Sequence, residues 1–287
     1  MLYFCNVVSR TRIYQFLALY ASMEKNCPGF RTFVLCMDDD TSRLLKQAGL
    51  EHAVPITLDE LEDKILRKLK STRKIGEYCW TLKPVLMSYV FEHYENIDWL
   101  TYLDADTYFF SDPSVIFSGM ENFSVLLSDH DSNEQIKFVE KEVGRFNAGF
   151  VSFRNDFVGR ECLHWWKKQC IKWCYNTTVT GQFGDQKYLE DMYKLFQGVS
   201  PVTIPGINVA PWNDAKYEIH LRDNTIYIND NPLILYHYCG FRLVDKASCV
   251  FMFGNVHRPV IHDPYMREIK AAISKTESIE PYFDGCF

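Results

Sequence analysis

Along the first hundred residues the apolar positions switch repeatedly between two periods. Residues 2–8 form a short apolar run of strand length, after which Ile13, Phe16, Leu17 and Tyr20 recur at helical spacing. Phe33-Val34-Leu35-Cys36 predicts a second buried strand that ends in Asp38-Asp39-Asp40. A short helix through Leu44, Leu45 and Ala48 follows, stopped by Gly49. Thr57-x-x-Glu60 predicts a capping box that opens one helix with Leu58, Leu61, Ile65 and Leu69 on a single face. Another helix is expected from near Thr81, with Pro84 tolerated in its first turn. Trp99-Leu100-Thr101-Tyr102-Leu103 reads as the next strand, and it runs into Asp104-Ala105-Asp106. Alternating units of this kind predict an α/β fold: a mostly parallel sheet flanked by helices, with ligands beyond the carboxyl ends of the strands. The candidate strand ends are Asn6–Ser9, Asp38–Asp40 and Asp104–Asp106.

The second half has a different texture. Tyr217–Leu221, Thr225–Ile228 and Leu233–Tyr238 predict short strands divided by Asp, Asn and Pro turns, an α+β half rather than further βα units. Cys162, Trp166, Cys170 and Cys174 fall at every fourth position, the spacing of a buried helical stripe rather than of a zinc clamp. No repeat or low-complexity tract divides the chain, so residues 1–287 are expected to form one unit. Pro201–Pro211 is its one plausible internal seam.

Composition narrows the function. The 31 Lys+Arg against 37 Asp+Glu leave a net charge of −6, which excludes the electrostatic signature of a nucleic-acid binder. No run approaches the ~18 apolar residues of a membrane span, and the opening residues lack a basic stretch of the signal-peptide kind. With ten cysteines and no C-x-x-C, a cytoplasmic protein with reduced thiols is expected. Lys64, Arg67, Lys68, Lys70, Arg73 and Lys74 form a dense basic run with two readings. One is a solvated face opposite Leu61-Ile65-Leu69. The other is peripheral contact with anionic lipid at the inner face of the membrane, or with an anionic ligand through Arg73 or Lys74 if Ser71–Gly76 closes as a loop. The 21 Phe, 17 Tyr and 6 Trp are an unusual load for a chain without a membrane segment.

An Asp-x-Asp triplet alone is weak, but here it follows an apolar strand. Two carboxylates one residue apart at a strand end can hold a hard divalent cation, Mn²⁺ or Mg²⁺, and leave positions open for a diphosphate. The phosphatase motif would place the threonine one residue later than Thr107, and a nucleotidyltransferase would carry a glycine-rich loop where Asn6-Val7-Val8-Ser9-Arg10 has none. Three further segments follow in order: Phe146-Asn147-Ala148-Gly149, Gly184-Asp185-Gln186 and His237-x-x-Gly240.

Together with Asp104-Ala105-Asp106, this series resembles the GT-A glycosyltransferases, most closely the glycogenin-like and bacterial lipopolysaccharide galactosyl- and glucosyltransferase group, over roughly residues 1–240. The resemblance implies a GT-A, Rossmann-like fold with a nucleotide-binding half over 1–110 and a half over 111–287 that completes the metal and acceptor sites. It implies a hexosyltransferase that uses a nucleotide-sugar donor, UDP favoured, and transfers with retention to a saccharide or lipid-linked saccharide acceptor in surface-polysaccharide synthesis. Asp104, Asp106 and His237 would hold the metal, with His257 and His262 as rival third ligands. Asn147 and Ala148 would lie at the donor sugar or diphosphate, and Asp185 and Gln186 beside the reacting carbon. Asn6, Ser9 and Asp38 would stand near the nucleoside, and Lys83, Ala105 and Gly240 near the diphosphate. Where that group continues into Lys-Pro-Trp, this chain reads Phe241-Arg242-Leu243, so Arg242 is the candidate for the missing positive charge. Trp212, between Pro211 and Asn213, suits a platform for an acceptor sugar. No obvious base for inversion stands out, Asp185 and Asp129 being the carboxylates open to that role. The alternative from another class is a non-catalytic nucleotide-sugar-binding relative.

Overall fold

The computed structural model describes residues 1–178, 181–245, 248–251 and 257–285. Four parallel strands lie side by side in the order β3 (Ala53–Thr57), β2 (Phe30–Cys36), β1 (Leu2–Val8) and β4 (Trp99–Leu103). The short β5 (Thr107–Phe109) follows the turn after β4. Beyond β4 the sheet continues through β7 (Phe146–Arg154), antiparallel to both its neighbours, to β6 (Val125–Asp129) and β8 (Val199–Pro201). Among the described residues this makes one seven-stranded, mostly parallel sheet flanked by helices, the α/β architecture that the hydrophobic pattern predicts.

Strand alternation sends the apolar side chains to two cores. Phe4 and Val8 of β1 join one cluster, while Cys5 and Val7 join the other. The first core is covered by α1 (Ile13–Asn26), and α2 (Asp39–Gln47) begins at the Asp38 cap beyond β2. Two short helices follow, α3 (Leu58–Leu61) and α4 (Lys64–Lys70), where the Thr57 pattern predicts one. Asp63 accepts from the amides of Ile65 and Leu66 at 2.8 Å each, which restarts the helix and rotates its face. Leu66 is consequently buried, and Ile65, assigned by the pattern to the apolar face, is 56% exposed.

The next helix, α5 (Ile75–His93), starts six residues earlier than Thr81, so Pro84 sits inside it. Glu77 accepts from the Lys74 amide and fixes that start. Ser71–Gly76 is therefore a corner rather than a closing loop. Arg73 is buried there, donating to Thr81 Oγ1 and to the carbonyls of Cys170 and Ile171, at 2.9 and 2.8 Å. Those carbonyls end α7 (Phe157–Lys172), which comes after the single-turn α6 (Glu140–Val143), so Arg73 caps a helix rather than meeting a ligand. Cys162, Trp166 and Cys170 line the buried stripe of α7, and the cysteines among the described residues are free thiols.

After α8 (Tyr188–Leu195) the chain leaves the sheet through the proline-containing segment. It then forms the small antiparallel sheet of β9 (Ile219–Arg222), β10 (Thr225–Ile228) and β11 (Asn231–Pro232). The predicted strand Leu233–Tyr238 narrows to β12 (Leu235–His237), which pairs antiparallel with β5. A hairpin of β13 (Phe241–Leu243) and β14 (Cys249–Phe251) precedes α9 (Pro259–Ile279), which returns to pack on α1. Among the described residues no helix is long and apolar enough to cross a membrane.

Candidate active site

The β5–β12 pair builds the site. Its register sets His237 opposite Thr107, one residue beyond the Asp-Ala-Asp turn, and the Tyr238 amide donates to the Asp106 carbonyl at 2.7 Å. A residue 131 positions away is thus held beside the acid pair by backbone bonds. Thr107 tightens the turn itself, its hydroxyl donating to the Asp104 carbonyl at 2.8 Å. His237 Nε2 lies 3.1 Å from Asp106 Oδ1 and 3.9 Å from Asp104 Oδ2. One donor atom from each of Asp104, Asp106 and His237 lies within 4.8 Å of the others.

This donor set fits a borderline-to-hard divalent cation, since two carboxylates and one imidazole suit manganese or magnesium better than a soft metal. Burial alone would push the His237 imidazole down, but Asp106 and Asp104 outweigh it and hold its pKa above the usual value. Burial raises the Asp106 carboxyl, and the facing His237 overcomes this to bring it down to about 2. Carboxylates that draw a proton onto a buried ring draw a divalent cation for the same reason. His237 Nδ1 is buried without a hydrogen-bond partner. His262 instead accepts from the Arg258 amide, and His257 pairs with Asp263 at the surface, so neither rival joins the cluster.

Gly149 explains the Asn-Ala-Gly step. A Cβ there would lie 2.4 Å from His237 Cε1, so only glycine leaves room for the imidazole. Asn147 turns its Oδ1 back to the Gly149 amide at 2.9 Å and its amide nitrogen toward His130 Nε2 at 3.4 Å.

Lys83 crosses beneath the acid pair from α5. Its Nζ lies 3.0 Å from Asp104 Oδ1, 3.1 Å from Asp185 Oδ2 and 3.1 Å from the Ala148 carbonyl. The ammonium donates to the carbonyl and pairs ionically with both carboxylates, in a group only 3% exposed. Desolvation opposes the charge on Lys83, yet Asp104 and Asp185 overcome it and raise the pKa above the ordinary lysine value. Burial also lifts the Asp185 carboxyl, with Lys83 pulling the other way. Lys83 therefore ties the Asp104 carboxylate to Asp185 rather than offering a free charge. Gln186, next to Asp185, donates to the Val143 carbonyl at 2.9 Å.

The remaining sequence candidates divide clearly. Trp212 reaches the site: its ring meets both His237 and His130 edge-on, with centroids 5.2 Å apart in each case. Ala105 is buried in the turn between the two acids, and Gly240 turns the chain after His237 at φ +79°. Asn6 lies in the core below the site with both polar ends occupied, donating to the Leu103 carbonyl and accepting from Thr32, each at 2.7 Å. Asp38 caps α2 through Thr41 and receives the Arg10 amide, while Ser9 contacts Thr11. Arg242 is exposed on β13, between buried Phe241 and Leu243. Asp129 is held in a two-point pair by Arg145.

One residue beside the site escaped the sequence reading. His130 stands at the end of β6, its Nδ1 2.9 Å from the Gly144 carbonyl, and burial pushes its pKa down to about 4. It comes just after a short apolar run, the signal that identified Asp104, and could have been found by treating every strand's polar tail alike.

No protein-family model matches the chain. It is 36% identical to the uncharacterized protein YfnF of Bacillus subtilis (strain 168), over 98% of this chain and 96% of that one. It is 34% identical to the uncharacterized YfnD of the same organism, over 99% of this chain and 94% of that one. Among solved structures it is similar to the galactosyltransferase LgtC in complex with donor and acceptor sugar analogs, at 15% identity and TM-score 0.57, over 97% and 96% of the two chains. It also resembles WbbM, described as a bifunctional glycosyltransferase, at 12% identity and TM-score 0.56, over 96% of this chain and 51% of WbbM. At these identities the likeness concerns the fold, which is of the GT-A glycosyltransferase type.

Proposed function

Because the chain belongs to one family with YfnF and YfnD and carries the GT-A fold, we propose that it is a metal-dependent glycosyltransferase. It moves a hexose from a nucleoside-diphosphate donor, UDP favoured, to a saccharide or lipid-linked saccharide of the cell surface, with retention. The observation that carries the reading is the convergence of Asp104, Asp106 and His237 beside the Lys83–Asp185 pair.

Transfer breaks the bond between the sugar carbon and the diphosphate oxygen, so negative charge grows on the leaving group. Asp104, Asp106 and His237 would hold a divalent cation, which would supply the electrostatic stabilisation of that charge. The chain's own groups do the positioning. Lys83 holds Asp104 and Asp185 at a fixed spacing, one for the metal and one for the donor-sugar hydroxyls. Asn147 and the Ala148 backbone border the same space, and Gln186 stands beside the reacting carbon. Trp212 offers an aromatic edge to the acceptor beside His237.

Contact with a membrane suits a lipid-linked acceptor. Lys64, Ile65, Arg67, Lys68, Lys74 and Ile75 are exposed around α4 and the start of α5, the helix that carries Lys83. Basic groups interleaved with exposed isoleucines favour an anionic lipid surface.

Incubation with UDP-hexoses and Mn²⁺ tests the reading. Release of UDP in the wild type, lost on chelation and in Asp104→Ala and Asp106→Ala, is expected. A chain that titrates UDP-sugar in a calorimeter while no UDP accumulates is a binding relative and not a transferase.

A further inference from the structure

The departing diphosphate needs more positive charge than one divalent cation provides, and the Lys-Pro-Trp of the resembling group is missing after His237-x-x-Gly240. Among the described residues, the cations around the site are mostly engaged. Lys83 meets two carboxylates and a carbonyl, and Arg73 caps α7. Arg10 pairs with Asp40 and Asp284. Arg242 projects from the outer side of a hairpin, between two buried residues.

We propose that Arg12 is the side chain that contacts the donor diphosphate, replacing from the β1–α1 corner the lysine that the resembling enzymes carry after His-x-x-Gly. This rests on the glycosyl-transfer reading above.

Two observations support it. First, β1 and β4 are parallel neighbours, with Cys5 opposite Tyr102, so the corner after β1 leaves the same sheet edge as Asp104. Second, Arg12 is held in place yet not neutralised. Nη1 donates to Gln15 Oε1 at 2.6 Å and to the Phe241 carbonyl at 3.4 Å, and Gln15 is fully buried. The Phe241 bond seats the guanidinium directly over the turn that follows His237. Among the described residues no carboxylate lies within ion-pair distance of Arg12, and Nη2 and Nε have no protein partner. Such a fork, fixed at one end and open at the other, matches phosphate oxygens.

The test is calorimetric titration of wild type, Arg12→Gln, Arg12→Lys and Arg242→Gln in Mn²⁺. The ligands are UDP, GDP, ADP, CDP and dTDP, the free nucleoside of whichever binds, and inorganic pyrophosphate. Arg12→Gln is expected to weaken the diphosphates roughly ten- to a hundredfold, with the loss shrinking at high salt, and to leave the free nucleoside unchanged. Arg12→Lys, which keeps the charge without the fork, falls between, and guards against a fold defect in the glutamine variant. Arg242→Gln binds as the wild type does. Equal diphosphate affinity in Arg12→Gln, an equal loss for the nucleoside, or a loss appearing in Arg242→Gln instead overturns the assignment while leaving the transferase reading in place. Failure of every nucleoside diphosphate to bind the wild type overturns that reading itself.

Discussion

Two basic regions lie along one stretch of chain, and the contrast between them is instructive. From Lys64 to Lys74 six cations crowd a short span, whereas Lys83 is a single lysine in an apolar helix. The crowded run stays mostly in water: Lys64, Arg67, Lys68, Lys70 and Lys74 are exposed, and its one buried member, Arg73, caps a helix. Lys83 is 3% exposed and binds three acceptors, two of them carboxylates at the candidate site. Density of charge marks a solvated surface, while a lone charge on a buried helix face must have partners, because an unpaired buried cation is too costly to keep.

The most severe way to break the buried region is to remove the acids. Asp104→Ala or Asp106→Ala should lower metal-dependent UDP release by on the order of a thousandfold, measured at saturating donor. Lys83→Met comes next. It strands Asp104 and Asp185, so chemical denaturation should show a stability loss of about 3–5 kcal/mol, with the double variant Lys83→Met, Asp185→Leu recovering part of it. If Lys83→Met were as harmless as Lys68→Met, the contrast between the regions would disappear.

His130 sharpens the comparison through pH. Its pKa is depressed to about 4, so the folded chain takes up this proton less readily than the unfolded one. Stability from this source is complete above about pH 6.5 and is lost as pH falls toward 4, by roughly 3 kcal/mol. His130→Asn should flatten that part of the acid limb relative to the wild type. Gly149→Ala forces a methyl against His237 and should cost about 1–3 kcal/mol while weakening Mn²⁺ binding, read by calorimetry. The smallest stability effect belongs to the exposed region. Ile65→Ser with Ile75→Ser should change stability by less than about 0.5 kcal/mol, yet reduce sedimentation with vesicles containing anionic lipid.

Much of the fold was legible because β1, β2 and β4 are continuous apolar runs that end in polar tails, and burial on both faces leaves little alternative. The helix boundaries were less so. Asp63 restarts a helix that the apolar spacing alone carries through, and the α5 start rests on Glu77 receiving the Lys74 amide. The long α9 went unread, having Pro264 inside it and a nearly balanced mix of polar and apolar residues. At the site, Asp104, Asp106 and His237 came from the family resemblance, with His257 and His262 still open as the third ligand until the β5–β12 pairing was seen. The role of Gly149 was not legible, since it depends on where β12 sets an imidazole. Asn6 shows the converse. A polar residue at a strand end suggests a ligand contact, but its neighbours Leu103 and Thr32 occupy both ends of the amide.

The claim that Asp104, Asp106 and His237 hold a metal for a nucleotide sugar is most directly tested by thermal shift with a panel of nucleotide sugars, with and without Mn²⁺, on wild type and Asp106→Ala. The expected result is a large upward shift with one donor that requires Mn²⁺, vanishes on chelation and is missing in the variant. A shift of equal size without metal, or an undiminished one in Asp106→Ala, would contradict it.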